Sequence, residues 1–304
     1  MEEKKKSLIF SPEDCLDDML YDLEHGKEKG STTYIKDIDM CWTWRKGEFN
    51  IWTGYSNEGK SLFLRYLAII KAIMAGWKFI FCAPEDFPPK EFFDDMIHTL
   101  SGLPTDPSNP NCIDRDLYLD MYTRIKDSFL FLYVNPPGNT IKGTLVEFEK
   151  ALGDFKADAI VIDPLIKFAR PKDMSERDDI YAAYITTIFT DFARLHNLST
   201  HLVMHQLTPR ILETGYYAKP SMYSIKGGGT WSDGTDNILS VWRPTYAKDK
   251  LSTEVIFASQ KIKKQKLVGI PQDFKMKFDR RSNRYTDFIT NRDLFDFDSI
   301  IYKK

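Results

Sequence analysis

The stretch GYSNEGKS, Gly54–Ser61, decides the fold, because it stands between the apolar run FNIWT and the longer apolar run SLFLRYLAII. It matches the spacing G-x-x-x-x-G-K-[ST] of a phosphate-binding loop between a strand and a helix. Glycines let successive backbone N–H groups face phosphate oxygens, and the helix N-terminus adds its positive end. The stretch therefore predicts a nucleoside triphosphate site. The candidate contact residues are Gly54, Tyr55, Ser56, Asn57, Glu58, Gly59, Lys60 and Ser61.

Two residues of this loop have specific expected roles. The Lys60 ammonium is expected to reach the β and γ phosphates, and the Ser61 hydroxyl to take one position on Mg²⁺. The alternative, a glycine turn with an exposed lysine, is disfavoured by the strand before the loop and the helix after it. We therefore expect ATP and Mg²⁺ as cofactors.

Acidic residues at the ends of two other apolar runs fit the same chemistry. Asp163 ends AIVID and suits the Mg²⁺ shell, although aspartate also ends strands simply as a turn former. Hydrolysis further needs a group that orients and deprotonates water. Glu85, in FIFCAPED, ends the strand after the phosphate-loop helix and is the favoured candidate. Its neighbour Asp86 is the rival.

Strand and helix patterns alternate from residue 47 onward, which predicts an α/β fold with a mainly parallel central sheet flanked by helices. The predicted strands are GEFNIWTG, WKFIFCAPE, FLFLYV, ADAIVIDPLIKF and THLVMHQL, and the predicted helices cover 61–76, 91–100, 141–152 and 179–196. After residue 236, the runs NILSVW, STEVIFASQ, DFKMKFD and NRYTDF predict an antiparallel C-terminal extension of the sheet.

Composition and charge exclude several classes of protein. No apolar run approaches the roughly 20 residues of a membrane helix, so we expect no membrane contact. The 42 basic and 44 acidic residues nearly cancel in charge. This balance argues against a protein that coats nucleic acid with one whole face, but not against a narrow basic pore. Four scattered cysteines without a C-x-x-C pair indicate reduced thiols. The N-terminus matches neither a signal nor a transit peptide, so a cytoplasmic location is expected.

Together these residues resemble the motor of hexameric replicative DNA helicases of the DnaB and twinkle type. The resemblance covers about residues 40–290 and also rests on LVMHQL, on KGGGTWSDGTDNILSVWR and on QKIKKQK. It implies a RecA-like P-loop NTPase that hydrolyses ATP at the subunit interfaces of a homo-hexameric ring. It also implies 5′ to 3′ movement on single-stranded DNA, with a primase or another replisome protein as a partner.

The resemblance assigns three further catalytic positions. Gln206 falls where the family senses the γ phosphate, with His205 just before it; a satisfied core histidine and a strand-end glutamine are the alternative. Lys261 and Lys263 fall at the K-x-R positions that complete a neighbouring subunit's site. Lysine at 263 departs from the family, because an ammonium lacks the planar fork of arginine.

This departure leaves several interpretations open. Either Lys263 is sufficient, or a nearby basic residue such as Lys264 or Arg280 takes over its role, or hydrolysis is weak. The run KIKKQK could instead be a solvated hairpin tip, the usual fate of a charge run.

Two segments, 168–177 and 208–229, are expected from the resemblance to face DNA, and their positive charge suits phosphates. The candidate DNA-binding residues are Lys167, Arg170, Lys172, Arg210, Lys219 and Lys226. Tyr216, Tyr217 and Tyr223 are expected either to stack on bases or, as favoured, to pack against the sheet. Trp231 and Arg243 are expected to approach either the nucleotide base or a neighbouring subunit, and the sequence does not decide between these two positions.

The expected organisation has three parts: a linker helix and lead-in at 1–45, the motor domain at 46–290 and an acidic, aromatic tail at 291–304. Residues 12–25 predict an amphipathic helix whose apolar stripe needs a partner surface in the same chain or a neighbouring subunit. The short lead-in favours a phage or plasmid form without an N-terminal primase or collar domain.

Two other functions stay open from the sequence. One is a RecA-like recombinase or regulatory ATPase, in which the leading helix would serve as a polymerisation segment. The other is a nucleotide-gated replisome loader or scaffold with weak hydrolysis, which would bind its partner through the acidic, aromatic C-terminus.

Overall fold

The computed structural model describes residues 11–135, 139–174, 177–207 and 210–302. Within these ranges one sheet contains nine strands in the order β3-β2-β4-β5-β1-β6-β7-β8-β9. The strands are β1 Phe49–Gly54, β2 Phe79–Cys82, β3 Phe129–Phe131, β4 Ala159–Ile162, β5 Ser199–His205, β6 Asn237–Trp242, β7 Glu254–Ile262, β8 Asp273–Asp279 and β9 Arg284–Asp287. Strands β1 to β6 pair in parallel, and β7, β8 and β9 continue the sheet antiparallel.

The helices lie on both faces of this sheet and at its ends. The described α-helices are α1 Leu16–His25, α2 Lys36–Cys41, α3 Lys60–Ala75, α4 Pro89–Ser101, α5 Arg115–Ile125, α6 Ile141–Asp154, α7 Asp178–Leu195, α8 Gly229–Gly234, α9 Gln265–Val268 and α10 Asp298–Ile301. In the described residues, no helix is both long and apolar enough to cross a membrane.

The central strand β1 separates two hydrophobic cores, because alternate residues of a strand point to opposite faces. Phe49 and Ile51 pack with helices α6 and α7, whereas Trp52 packs with α3, α4 and α5. All six residues of β1 are buried. Burial on both faces is what a parallel sheet with crossover helices requires, and it holds the residues at the end of β1 in place.

Most of the predicted elements are confirmed, but one strand was assigned wrongly, and the short helices α2, α8, α9 and α10 as well as the longer helix α5 were not predicted. NILSVW forms β6, which pairs with β1 in parallel, so its assignment to the antiparallel extension was wrong. Residues 210–236 lead back to the start of β6, which permits the parallel direction. Helix α5 was missed although its N-cap signal was present, since the side chain of Asp114 accepts a hydrogen bond from Leu117 N.

The leading helix is present, but its apolar stripe has no cover among the described residues. Leu16, Met19, Leu20 and Leu23 are between 45% and 80% exposed. No residue of α1 is buried. A solvent-exposed stripe of this kind is typical of a surface that meets another chain.

Residues on either side of the predicted span 46–290 share the packed body. Trp42 and Trp44, before it, and Phe297, after it, are fully buried in the core on the α3 face. Lys71 of α3 is also fully buried and donates hydrogen bonds to Ser31 Oγ and the backbone of Thr32. These contacts fasten the lead-in to the helix that begins at the phosphate loop.

The acidic residues of the last segment are engaged within the chain. Arg284, buried in β9, pairs with Asp293 at 3.3 Å and with Asp298 at 3.0 Å. The aromatic side chains of Phe295 and Phe297 are buried beside them. This segment therefore contributes to folding, because an unpaired buried guanidinium would be costly.

Candidate nucleotide-binding site

The phosphate loop lies between β1 and α3, and two of its glycines are required by geometry. Gly54 has φ of +146°, and a Cβ atom there would lie 2.2 Å from the Val241 carbonyl oxygen. Gly59 has φ of +91° in the left-handed region and precedes the first turn of α3. The loop therefore curls tightly over the end of β1, next to β6.

Lys60 is buried at the start of α3. Its ammonium donates a hydrogen bond to the Tyr55 carbonyl at 2.7 Å. Burial lowers the pKa of Lys60, while the carboxylates of Asp163, Glu58 and Glu85 oppose that shift. A largely desolvated ammonium attracts phosphate more strongly than a solvated one, as the predicted role requires.

Asp163 follows β4 and lies next to the start of α3. Its carboxyl group is buried, and burial raises its pKa to about 6, although a hydrogen bond from the Ser61 side chain opposes the rise. Ser61 and Asp163 are thus close enough to act on one ion. A hydroxyl and one carboxylate fit Mg²⁺, which completes its shell with waters and phosphate oxygens.

The two candidate general bases differ in their contacts. Asp86 is bound by Arg65, which also holds Asp95; both ion pairs measure 3.1 Å. Glu85, in the short turn Pro84–Asp86, contacts Lys167 at 2.9 Å and keeps 44% of its side chain exposed. The structure therefore commits Asp86 to a structural pair and leaves Glu85 as the more available carboxylate.

Gln206 follows β5 directly beside the phosphate loop. Its backbone N–H donates to the Gly54 carbonyl at 3.0 Å, and its side-chain amide donates to the Ser221 carbonyl at 2.8 Å. Among the described residues, its buried Oε1 has no hydrogen-bond partner. His205 lies 3.5 Å from Ser56 Oγ, and burial lowers its pKa. Both side chains thus lie beside the phosphate loop, and their contact with the γ phosphate stays a prediction.

Glu58 has a position that its motif did not reveal. It is almost fully buried, and burial raises its pKa to about 7. Its carboxylate accepts a hydrogen bond from the Arg243 backbone at 3.3 Å. The Arg243 guanidinium stacks on Tyr246, 4.2 Å from the ring centre. Glu58 therefore joins the loop to the end of β6 rather than facing outward.

A cavity of about 270 Å³ opens beside the loop. Its lining includes Tyr55, Ser56 and Gln206, together with Tyr217 and Tyr246. Tyr55 also donates a hydrogen bond to the Ala218 carbonyl at 2.9 Å. Tyr217 and Ala218, from the segment after Gln206, therefore cover one side of the loop, and Tyr246, which follows β6, adds a second aromatic ring to the cavity wall.

Lys261 and Lys263 lie at the opposite end of the sheet from the phosphate loop. Lys261 pairs in register with Ile238, near the start of β6, and its ammonium donates to the backbone of Thr235. Lys263 forms an ion pair with Asp236 at 3.1 Å. Neither reaches the loop of its own chain, because β1 and β6 are parallel and the loop follows their other ends.

The run KIKKQK is not a simple hairpin tip. Lys261 and Ile262 end β7, and Gln265 begins the short helix α9 before β8. Lys264 contacts the buried carboxylate of Glu48 at 3.6 Å. Arg280, the other suggested substitute, donates to the Lys250 carbonyl at 2.7 Å.

The candidate DNA-binding residues fall into separate groups. Arg170 and Lys226, from the two predicted DNA-facing segments, share the carboxylate of Asp178 at 2.5 and 3.6 Å. Lys219 instead pairs with Asp273 at 2.6 Å. These positions stay predictions, although the structure brings Arg170 and Lys226 together and sets Lys219 apart.

The remaining candidates lie in these segments or, for Lys167, directly before the first of them. Lys167 ends the turn Leu165–Lys167 and contacts Glu85. Lys172 begins a second turn, Lys172–Met174. Arg210 is exposed, and its carbonyl accepts a hydrogen bond from Ala218 N.

The aromatic residues of the second segment differ in exposure. Tyr223 is 62% exposed and Tyr216 38% exposed, whereas the ring of Tyr217 packs at a tilt against Tyr55, with 5.7 Å between the ring centres. Trp231 is buried and donates to the Lys226 carbonyl at 2.7 Å. Trp231 therefore holds the backbone of the second DNA-facing segment in place at Lys226.

The sheet is mainly parallel and has an antiparallel extension. A phosphate loop follows its central strand, and acidic residues follow neighbouring strands. These features together define a RecA-like P-loop nucleotide-binding domain. The solved structures with this fold include the ATPase domain of another protein, with a TM-score of 0.74 and 14% identity, covering 92% of this chain and 99% of that one. They also include a DnaB-like replicative helicase described with its interactions with primase, with a TM-score of 0.72 and 12% identity, covering 92% and 67%.

The sequence is similar to the Twinkle homolog protein, chloroplastic/mitochondrial, of Arabidopsis thaliana. The identity is 23% over 294 residues, which cover 92% of this chain and 40% of that protein. The chain thus spans less than half the length of this relative. No protein-family model matches it. The resemblance to helicases of the DnaB and twinkle type is confirmed, and so is the RecA-like fold.

Proposed function

We propose that this chain is the ATP-driven motor of a replicative DNA helicase that moves along single-stranded DNA, 5′ to 3′, as a homo-hexameric ring. The observation that carries the proposal is a meeting of side chains at the carboxyl ends of adjacent parallel strands. These side chains are Lys60, Ser61, Glu85, Asp163 and Gln206. Similarity to a Twinkle homolog and to the fold of a DnaB-like replicative helicase supports DNA unwinding as the task.

The roles of these groups follow from their chemistry. The Lys60 ammonium binds the β and γ phosphates of ATP, and Gln206 contacts the γ phosphate through its carboxamide. Glu85 accepts a proton from the water that attacks the γ phosphorus as the bond to ADP breaks. Ser61 and Asp163 would hold Mg²⁺, which neutralises charge on the transferred phosphoryl group.

The ring is proposed because one chain presents two incomplete halves of a site. The phosphate loop follows the carboxyl end of β1, whereas Lys261 and Lys263 lie near the start of β6. A second copy that turns its Lys263 edge toward the first copy's loop would complete the site with cationic charge. The exposed apolar stripe of α1 supports the same assembly, since it offers surface to a neighbouring subunit.

DNA contact is proposed for the segments after β4 and β5. Both follow the same end of the sheet as the phosphate loop, and the cations Arg170 and Lys226 come together there. Phosphate contacts of this kind bind DNA without regard to sequence, as a translocating motor needs. A primase or another replisome protein is the proposed partner, and the cytoplasm is the proposed location.

The test combines turnover, unwinding and imaging. With a forked DNA substrate, ATP and Mg²⁺, we expect 5′ to 3′ unwinding and ATP hydrolysis that single-stranded DNA stimulates. Lys60→Ala should abolish both activities, since the loop then lacks its ammonium. Electron microscopy with an ATP analogue should show rings. Continuous filaments on DNA, or turnover and DNA binding in rings without fork unwinding, would overturn the proposal.

A further inference from the structure

The candidate general base is held by a lysine that is itself a candidate for DNA contact. Glu85 Oε1 and Lys167 Nζ are 2.9 Å apart, and about half of each side chain is exposed. Glu85 follows β2, and Lys167 ends the turn that follows β4. These two strands are direct neighbours in the sheet. The ion pair therefore joins the candidate general base to the residue that directly precedes the first DNA-facing segment.

The surroundings of this pair leave Lys167 free to change partners. The adjacent carboxylate, Asp86, is already bound by Arg65 at 3.1 Å. Lys167 is 45% exposed and has a flexible four-carbon stem, so its ammonium can reach solvent. The charges of Glu85 and Lys167 both act on the pKa of His205, which lies beside the phosphate loop, so the pair lies near that loop as well. Movement of the Lys167 ammonium therefore changes the electrostatic environment of the site of hydrolysis.

The chemistry of the two states differs. An ammonium hydrogen-bonded to Glu85 occupies a carboxylate oxygen that must accept a proton from water during hydrolysis. A DNA phosphate is an alternative anion for the same ammonium, and its binding gains from the release of counterions. An exposed ion pair is weak, contributing at most about fivefold in population, the equivalent of about 1 kcal/mol. Exchange between the two anions is therefore energetically accessible.

We propose that Lys167 is a positioning residue that alternates between Glu85 and a DNA phosphate, so that single-stranded DNA releases Glu85 to activate water. The inference rests on the proposed function and adds the means by which DNA stimulates hydrolysis. By thermodynamic linkage, the same exchange makes Glu85 a competitor of DNA for Lys167. The two directions can be tested separately.

The first test measures steady-state ATP hydrolysis by the full chain with and without oligo(dT). Lys167→Gln should raise the DNA-free kcat two- to fivefold, leave the KM for ATP unchanged and reduce the stimulation by DNA. Lys167→Arg keeps the charge and should stay at or below the wild-type DNA-free rate. Lys150→Gln is the matched control, because it removes a similar exposed pair with Glu147 on α6 and should change nothing. A DNA-free kcat for Lys167→Gln at or below that of the wild type would overturn the inference.

The second test needs no hydrolysis. Binding of fluorescent oligo(dT) is measured with a non-hydrolysable ATP analogue for Glu85→Gln, Lys167→Gln and the double variant. Glu85→Gln should tighten binding two- to fivefold, and this gain should vanish when Lys167 is replaced. Glu91→Gln removes a charge from the same cavity as Glu85 and gives the general electrostatic effect. Equal gains from Glu85→Gln and Glu91→Gln, or a gain that persists without Lys167, would contradict the exchange.

The proposed function and the exchange at Lys167 fail in different ways. If the wild-type chain neither hydrolyses ATP nor binds single-stranded DNA, the proposed function fails and the exchange falls with it. If the wild type does both but Lys167→Gln matches it in rate and in DNA affinity, the exchange alone is wrong. Thermal melting and binding of a fluorescent ATP analogue verify that each variant is folded.

Discussion

His201 lies in the middle of β5 as a fully buried neutral ring. Trp52 donates a hydrogen bond to its Nδ1 at 3.0 Å, and Ser199 contacts its Nε2 at 2.9 Å. Burial lowers the pKa of His201 from 6.5 to about 3. The folded state therefore resists a proton that the unfolded chain accepts below pH 6.5. Stability that is fully present above pH 6.5 is lost progressively as the pH falls toward 3.

The size of this loss follows from the shift. At about pH 4.5, two pH units below the ordinary pKa, the missing proton destabilises the folded state by about 2.7 kcal/mol. Other groups also titrate in this window, including Asp163, whose pKa is about 6. A variant without the imidazole is therefore needed to isolate the contribution of His201. Glutamine is suitable, because its amide can still donate and accept hydrogen bonds but does not ionise.

Urea denaturation at about pH 7 and about pH 4.5 tests the reasoning. We expect His201→Gln to be less stable than the wild type at neutral pH, since the amide packs less well than the ring. Its further loss on acidification should be smaller than that of the wild type by on the order of 2 to 3 kcal/mol. Equal losses for the two proteins would refute a buried neutral histidine as the cause.

Three further predictions concern the site and its edges. Asp178→Asn should tighten binding of single-stranded DNA two- to fivefold by freeing Arg170 and Lys226. Asp120→Asn, which breaks an exposed pair with Arg124 on α5, should not. Equal effects of the two variants in a salt-controlled anisotropy titration argue against competition by Asp178. Gly54→Ala should lower the free energy of unfolding by about 1 to 3 kcal/mol, because the added Cβ would clash with the Val241 carbonyl. Urea denaturation measures this loss, and an unchanged midpoint would mean that the loop can shift to accept the side chain. Lys263→Ala should reduce kcat at least about tenfold at concentrations where rings form, and Lys263→Arg should retain activity. A fully active Lys263→Ala would remove this residue from the site.

The phosphate loop was predictable because all of its information is local. Gly54, Gly59 and Lys60 fall within one short stretch, and the flanking strand and helix follow from hydrophobic periodicity. The placement of Glu85 and Asp163 needed one more rule, that parallel strands end at the same edge of a sheet. Both residues follow strands whose pairing the structure confirms.

Contacts between distant residues could not be predicted in the same way. Nothing local pairs Glu58 with the Arg243 backbone or Glu85 with Lys167, since each pair joins segments that only the folded sheet brings together. The direction of β6 was misassigned for the same reason. A short apolar run carries no mark of the strand beside which it will lie, and its partner, β1, is far away in the sequence.

The burial of Glu58 changes how the phosphate loop presents itself to an anion. Counted from the sequence, Gly54–Ser61 carries one acid and one base and so no net charge. Because the Glu58 carboxyl group is turned inward and its pKa is raised to about 7, near neutral pH it carries much less than a full negative charge. Within the loop itself, positive charge then comes from the Lys60 ammonium and the backbone N–H groups, and the Glu58 carboxyl group offsets only part of it.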